Sequence, residues 1–271
     1  MAEDSQYTKT FKSTVNRLKD RADYDHETVQ TFVNGAPVLH VSFVPKRTDD
    51  DPFPTILPMI GGFGSYTAPG STESSSSALY LHGHISARLF KTSSASEKTP
   101  WEEDGLPGLP VCVCATHMDG LVLALTPFKH DVNYRSTVVH GYATLVTDLA
   151  EKNFALRLIP ENILPNRWEN SRVPPTDAEI KVTGILKIDV VDASAKVRAY
   201  AVENDKADLV DVDVTGRVWT GTVRAYVRYE TPIPGKENAV KDIPKYIDRW
   251  IEERNRKGEE YAREITSQLH S

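Results

Sequence analysis

The sequence predicts a mainly β protein with flanking helices, organised around a closed antiparallel sheet. Short apolar runs of strand length follow one another through residues 38–228. Residues 14–34 and 240–269, on either side, carry apolar positions at helical spacing instead. A chain of 271 residues is long enough to bury a core without disulfides or metals.

The strands and helices are predicted from periodicity and from turn residues. Predicted strands are 38–44, 55–60, 78–82, 111–117, 120–125, 136–147, 182–199 and 217–228. Met118-Asp119-Gly120 joins the fourth to the fifth, because an Asp-Gly pair suits a tight hairpin. Predicted helices are 14–34, interrupted and restarted at Asp23-Tyr24-Asp25, a short one through Leu89, 148–159 and 240–269.

This organisation favours one large domain with extensions. We expect a single barrel domain over residues 1–235, which includes the N-terminal helix, and an amphipathic C-terminal helix over 236–271. Segments at about 61–77 and 93–110 are rich in glycine and serine or in proline. They are predicted as loop insertions, which either line the rim of a pocket or are tolerated surface additions.

The net charge and the distribution of apolar residues argue against several classes of protein. A net charge of −6 argues against non-specific binding of nucleic acid, which needs a basic surface. No apolar run approaches the roughly 20 residues that cross a bilayer, and the first residues lack the apolar core of a secretory signal. We therefore expect a cytoplasmic protein without a membrane partner. Cys112 and Cys114 alternate on a strand and are interpreted as small buried hydrophobes.

Two segments offer a cation and a hydroxyl beside an apolar strand. Arg135 and Ser136 precede the run 137–141, and the arginine fork can hold a phosphate at two points. Ser86 and Arg88 follow the strand 79–82 where a helix begins, so backbone N–H groups would add to the site. Together they predict a phosphate-bearing nucleotide cofactor.

The order of several motifs resembles the flavin-binding split-barrel proteins related to pyridoxamine 5′-phosphate oxidase, in particular the flavin-nucleotide-binding or nitroimidazole-resistance-like branch. The resemblance runs from about Arg17 to about Trp219. It rests on RLKDRADYD at 17–25, TILPM at 55–59, VCVCATHMDGLVL at 111–123, NYRSTVVHG at 133–141, ASAKVR at 193–198 and the Trp219-x-Gly221 pair.

The resemblance implies a six-stranded Greek-key split β-barrel that forms a homodimer and holds FMN in a cleft between the subunits. It assigns the cofactor to Thr55, Ile56, Leu57, Pro58, Met59, Leu81, His82, Ser86, Arg88, Arg135, Ser136 and Trp219. Each has a plainer interpretation: Arg88 as an exposed helix residue, Arg135 and Ser136 as a strand anchor, Met59 and Trp219 as core residues. His82 and His84 lack a third ligand nearby, so no metal site is predicted.

The function implied is that of an FMN-dependent oxidoreductase acting on a small organic molecule. Vitamin B6 is not the expected substrate, because the Arg-x-His segment of true pyridoxamine phosphate oxidases is replaced by Trp219-Thr220-Gly221-Thr222-Val223-Arg224. Two alternatives stay open: a non-catalytic protein that binds flavin or haem, or a barrel that has lost its cofactor and performs other chemistry.

Overall fold

The chain divides into two compact units, which the computed structural model describes over residues 5–45, 53–68, 77–93 and 105–267. The first unit comprises residues 1–116 and 136–196, and the second comprises 117–135 and 197–271. The C-terminal helix belongs to the second unit. Residues 69–76 and 94–104, which are parts of the two predicted insertions, lie outside the described residues.

Eight strands form one sheet, and six of them close into an antiparallel barrel. The strands are β1 Ala22–Asp23, β2 Leu39–Phe43, β3 Thr55–Gly64, β4 Ala78–His84, β5 Leu109–Leu123, β6 Asp131–Leu145, β7 Thr183–Arg198 and β8 Gly221–Arg224. The barrel follows the order β7-β4-β3-β2-β5-β6, and a pairing of β6 with β7 closes it. β1 adds to β7 and β8 adds to β5. The predicted split-barrel fold is confirmed.

The helices lie between and after the strands. They are α1 His26–Gly35, α2 Arg88–Ser93, α3 Leu149–Ile163, α4 Asp177–Val182, α5 Lys206–Leu209, α6 Val212–Arg217 and α7 Lys245–Ser267. Asp25 caps α1 by accepting a hydrogen bond from the Thr28 N–H at 3.1 Å, and Asp148 caps α3 through the Glu151 N–H at 2.7 Å. Among the described helices, none combines the length and the apolar character that a bilayer crossing requires.

The N-terminal helix begins twelve residues later than predicted. Residues 14–25 hold only a 3₁₀ turn at Lys19–Arg21 and the short strand β1, whose Ala22 pairs with Lys196 of β7. Asp23 accepts hydrogen bonds from the Asp25 N–H and the Thr28 hydroxyl, so α1 begins directly after these acidic residues, where the restart was predicted.

The predicted hairpin at residues 118–120 is also wrong, because β5 continues unbroken through it. Gly120 pairs with Arg224 of β8, and the Asp119 carbonyl accepts the Ala225 N–H at 3.2 Å. The strand predicted over 217–228 is limited to β8, since α6 extends to Arg217. β3 also runs to Gly64, four residues into the predicted first insertion.

In the first unit, alternate strand residues fill the barrel. Leu39, Val41 and Phe43 of β2 are buried, as are Leu79 and Leu81 of β4. Cys112 and Cys114 alternate with buried Val111 and Val113 and are only half-buried, so the prediction that both cysteines are core residues is corrected.

The α3 helix covers part of the outer face of β3 and β4. Tyr80 packs edge-on against Phe154 at 5.7 Å and donates a hydrogen bond to Glu151 at 2.8 Å. Burial, with the Glu151 carboxylate second, raises the pKa of Tyr80, which keeps the phenol protonated as a donor. Gly64 allows this approach, because a Cβ there would lie 2.6 Å from Leu158 Cδ2.

The second unit has its own small core beneath α7. Asn255 of α7 accepts the Tyr229 N–H at 2.7 Å and donates to the Tyr229 carbonyl at 2.8 Å. Trp250 meets the Tyr229 ring at 4.6 Å. The aromatic stripe of the helix thus packs within its own unit.

Substituting Gly61 by alanine tests the tight packing of β3. The added Cβ would collide with the Tyr80 carbonyl and lie 2.5 Å from Leu81 Cδ2, so we expect a loss of about 1–3 kcal/mol in the free energy of unfolding. Urea denaturation followed by circular dichroism measures this. Gly216→Ala is the control, because nothing lies near its Cβ position; equal midpoints for the two variants would contradict the packing described.

Candidate functional site

The first half of β3 presents an uncovered apolar row on the outside of the barrel. Ile56, Pro58 and Ile60 are exposed, with Ile56 at 58 % and Ile60 at 37 %, whereas Leu57 and Met59 between them are half-buried. Alternation along a strand places the three exposed residues on one face. We call Ile56, Pro58 and Ile60 the β3 row.

One backbone edge beside this row is left unpaired by the described strands. Residues Thr55–Met59 pair with β2, from Thr55 with Phe43 to Met59 with Leu39. On the opposite side, β4 pairs only from Ile60 onward. Backbone N–H and C=O groups that face this edge are therefore available to a polar ligand, except that Pro58 has no N–H.

The end of β4 lies next to the row. His82 pairs with Ile60, so the two side chains share the outer face. Its Nδ1 is buried and has no hydrogen-bond partner within the described part of the chain. Gly83 leaves room for the buried Phe90 of α2, since a Cβ at Gly83 would lie 2.6 Å from Phe90 Cε2. That contact fixes α2 directly after the strand.

Ser86 and Arg88 lie at the start of α2 and are exposed. The Ser86 hydroxyl lies 2.7 Å from His84 Nδ1, and the Ser86 N–H donates to the same nitrogen at 3.2 Å. Arg88 has no acidic partner among the described residues. A cation and a hydroxyl therefore lie just beyond the strand that carries His82.

Arg135 lies in the second unit and has a local partner. Its Nε and Nη2 donate to the two carboxylate oxygens of Asp119 at 3.0 and 2.7 Å, and its guanidinium lies 4.0 Å from the Tyr261 ring centroid. Asp119 is almost fully buried. Burial raises the pKa of Tyr261, while the Arg135 charge acts in the opposite direction. The arginine fork therefore links β6 to β5 and α7.

The remaining predicted residues occupy varied environments. Ser136 is half-buried and donates to the Lys196 carbonyl at 3.3 Å. Leu81 is fully buried in the barrel. Trp219, in the second unit, is 67 % exposed, with its ring against Gly221.

The structure connects part of the predicted set through one strand pair. Thr55–Met59 precede Ile60, which pairs with His82, and Ser86 and Arg88 follow His82 in the chain. Their roles toward a cofactor stay predictions. No group of three or more His, Cys, Asp or Glu side chains that could hold a metal ion occurs in the ranges that the structure describes.

Sequence reasoning missed a buried pair on β6 and β7. His140 Nδ1 lies 2.6 Å from Asp192 Oδ1, and the Thr10 hydroxyl donates to Asp192 Oδ2 at 2.7 Å. Asp192 is completely buried. The signal was present, since Asp192 interrupts an apolar strand, and a buried carboxylate requires partners.

Replacing Arg135 by lysine tests whether the guanidinium supports the fold. A lysine cannot make both hydrogen bonds to Asp119, so we expect the free energy of unfolding to fall by about 2–3 kcal/mol. Arg157→Lys is the matched control, because Arg157 and Glu169 form an exposed pair that should change stability by less than about 0.5 kcal/mol. Equal denaturation midpoints for the two variants would show that the Asp119 contact contributes little.

Comparisons with known proteins agree on the fold. A family model described as pyridoxamine 5′-phosphate oxidase matches residues 25–197. The structure of the flavocytochrome Anf3 from Azotobacter vinelandii is similar, with a TM-score of 0.67 and 25 % identity over 89 % of this chain and 96 % of that one. A FAD and haem binding protein from Mycobacterium smegmatis has a TM-score of 0.63 and 22 % identity over 85 % of this chain and 97 % of that one.

A further similar structure is a Bacteroides thetaiotaomicron protein of the 5-nitroimidazole antibiotic resistance type. Its TM-score is 0.45, with 17 % identity over 65 % of this chain and 86 % of that one. A search of curated proteins gave no match.

Proposed function

The chain belongs to the pyridoxamine 5′-phosphate oxidase family, and from this premise we propose that it binds a flavin nucleotide, FMN, on the outer face of β3 and β4. We propose further that it is an oxidoreductase that uses this flavin to act on a small organic molecule other than vitamin B6. The observation that carries the proposal is the β3 row, which is apolar and uncovered. Arg88, which lies beyond β4, adds a cation.

The residues present fit the two ends of a flavin. An isoalloxazine ring is a flat aromatic body with a polar edge, and here an apolar row runs beside an unpaired backbone edge at Thr55–Met59. The phosphate end needs cationic and hydroxyl donors, which Arg88 and Ser86 supply after β4. His82 lies between these two regions along the chain and pairs with Ile60.

The protein's own contribution would be binding and orientation. A bound flavin supplies the capacity to accept and donate electrons. Backbone groups of Thr55–Met59 would fix the polar edge of the ring, and Arg88 would neutralise the phosphate. The apolar side chains of the β3 row would exclude water from one ring face.

Arg88→Gln tests this assignment. Removing the cation should weaken FMN binding about 10- to 100-fold, the range for loss of a hydrogen bond to a charged group. Quenching of FMN fluorescence on titration measures the affinity. Lys181→Gln is the control, since Lys181 is an exposed cation on α4. Unchanged affinity in the Arg88 variant, or no binding of FMN or FAD by the natural protein, would refute the assignment.

A second candidate is a protein that carries both FAD and haem. It is favoured by the near end-to-end likeness to a flavocytochrome and to a FAD and haem binding protein, each covered over more than nine tenths of its length. The absorption spectrum of the purified protein separates the candidates, because haem adds an intense Soret band to the flavin bands. Chromatography of the released cofactor distinguishes FMN from FAD.

We also propose that a second copy of this chain covers the β3 row, which gives a homodimer with the flavin near the interface. Exposed isoleucines beside a ligand are typical of a surface that another subunit buries. Ile56→Glu should then lower both the fraction of dimer in sedimentation velocity and the retention of flavin. Leu209→Glu, at another exposed apolar position, is the control. A variant that stays dimeric and keeps its flavin would contradict this arrangement.

A further inference from the structure

A cleft of the first unit, lined by other residues than those proposed for the flavin, has the features of a second binding site. Its cavity volume is about 250 Å³. Apolar residues of the lining include Val44, Pro54 and Val191, the last of which is 47 % exposed. The polar residues that line the cleft include His140 and Lys12.

His140 is held in one orientation by a fully buried carboxylate. Its Nδ1 lies 2.6 Å from Asp192 Oδ1, and Asp192 Oδ2 accepts the Thr10 hydroxyl at 2.7 Å. When Asp192 is ionised its carboxylate can only accept hydrogen bonds, so His140 Nδ1 is then the donor. The other ring nitrogen, Nε2, makes no hydrogen bond to any residue in the described ranges. His140 lines the cleft, and Nε2 is the ring nitrogen that Asp192 does not engage.

Lys12 adds a positive charge to the same cleft. Its ammonium group forms no ion pair within the part of the chain that the structure describes. Its positive charge acts to lower the pKa of the nearby Cys112 thiol. A cation without a carboxylate partner, beside a fixed imidazole and apolar walls, is suited to an acid group on an apolar body.

The surroundings of Cys112 disfavour its thiolate form. Burial raises the pKa of its thiol, with Cys114 and Asp192 adding to the shift and Lys12 opposing it. A thiol that stays protonated is a weak nucleophile. The arrangement therefore favours recognition by Lys12 and His140 over covalent chemistry at sulfur.

We propose that this cleft binds a compact organic acid, with the acid group held by the Lys12 ammonium and by the Nε2–H of His140, which is present when both ring nitrogens carry protons. The apolar body of the ligand would lie against Pro54 and Val191. The volume limits the ligand to about one ring or a short chain, since cavities for drug-sized molecules span roughly 300–1,000 Å³. Binding of an acid in this cleft does not require a bound flavin, so this proposal does not depend on the proposed function.

The test compares benzoate with benzyl alcohol, which has a similar ring but no ionisable group, by isothermal titration calorimetry on the full chain. Benzoate should bind at one site per chain, and benzyl alcohol at least about tenfold more weakly. Lys12→Met and His140→Gln should each weaken benzoate binding about tenfold, whereas Lys181→Met should leave it unchanged. In ¹⁵N spectra of histidine-labelled protein, benzoate should shift the resonance of His140 Nε2.

Lys12 is exposed, so Lys12→Met should fold even if a change at His140 disturbs the Asp192 contact. Absence of saturable benzoate binding at millimolar concentration would overturn the proposal. So would equal binding of benzyl alcohol, or an unchanged affinity in the Lys12 variant. FMN binding that persists in the Lys12 and His140 variants would show that the two sites are separate.

Discussion

The outer face of β3 has two halves, one that α3 covers and one that is exposed. This difference along one strand determines where α3 packs in the first unit. Gly62 and Gly64 have no side chains, so α3 can lie directly on the strand, with Asn162 over Gly62 and Leu158 over Gly64. Towards Thr55, isoleucines and a proline replace the glycines, and the helix no longer covers them. One strand thus contributes both to the packing of α3 and to an open apolar surface.

Much of the fold could be predicted because its signals are local. Alternation of apolar residues located the barrel strands, and the resemblance of ordered motifs supplied the topology that alternation alone does not specify. The failures came from distant pairing. Asp119-Gly120 has the local chemistry of a turn, but β8, a hundred residues later, pairs with it and keeps β5 extended. The segment 14–22 was predicted as a helix because its apolar spacing does not reveal the pairing of β1 with β7.

The candidate site shows a similar limit. Residues near in sequence, such as His82, Ser86 and Arg88, were predicted together and lie together. Arg135 has the right chemistry for a phosphate, yet its fork donates to a carboxylate sixteen residues earlier, which no sequence spacing revealed. His140 and Asp192 are fifty-two residues apart, and only the barrel brings them into contact. The charge and hydrogen-bonding capacity of a side chain can be read from the sequence. The residue that it contacts depends on the register in which the strands pair.

The unpaired edge along Thr55–Met59 has a consequence for the protein before it acquires any ligand. Open strand edges invite pairing with other chains and lead to aggregation. Pro58 lies in the middle of this edge and offers no N–H to an incoming strand. The proline therefore opposes such pairing along Thr55–Met59.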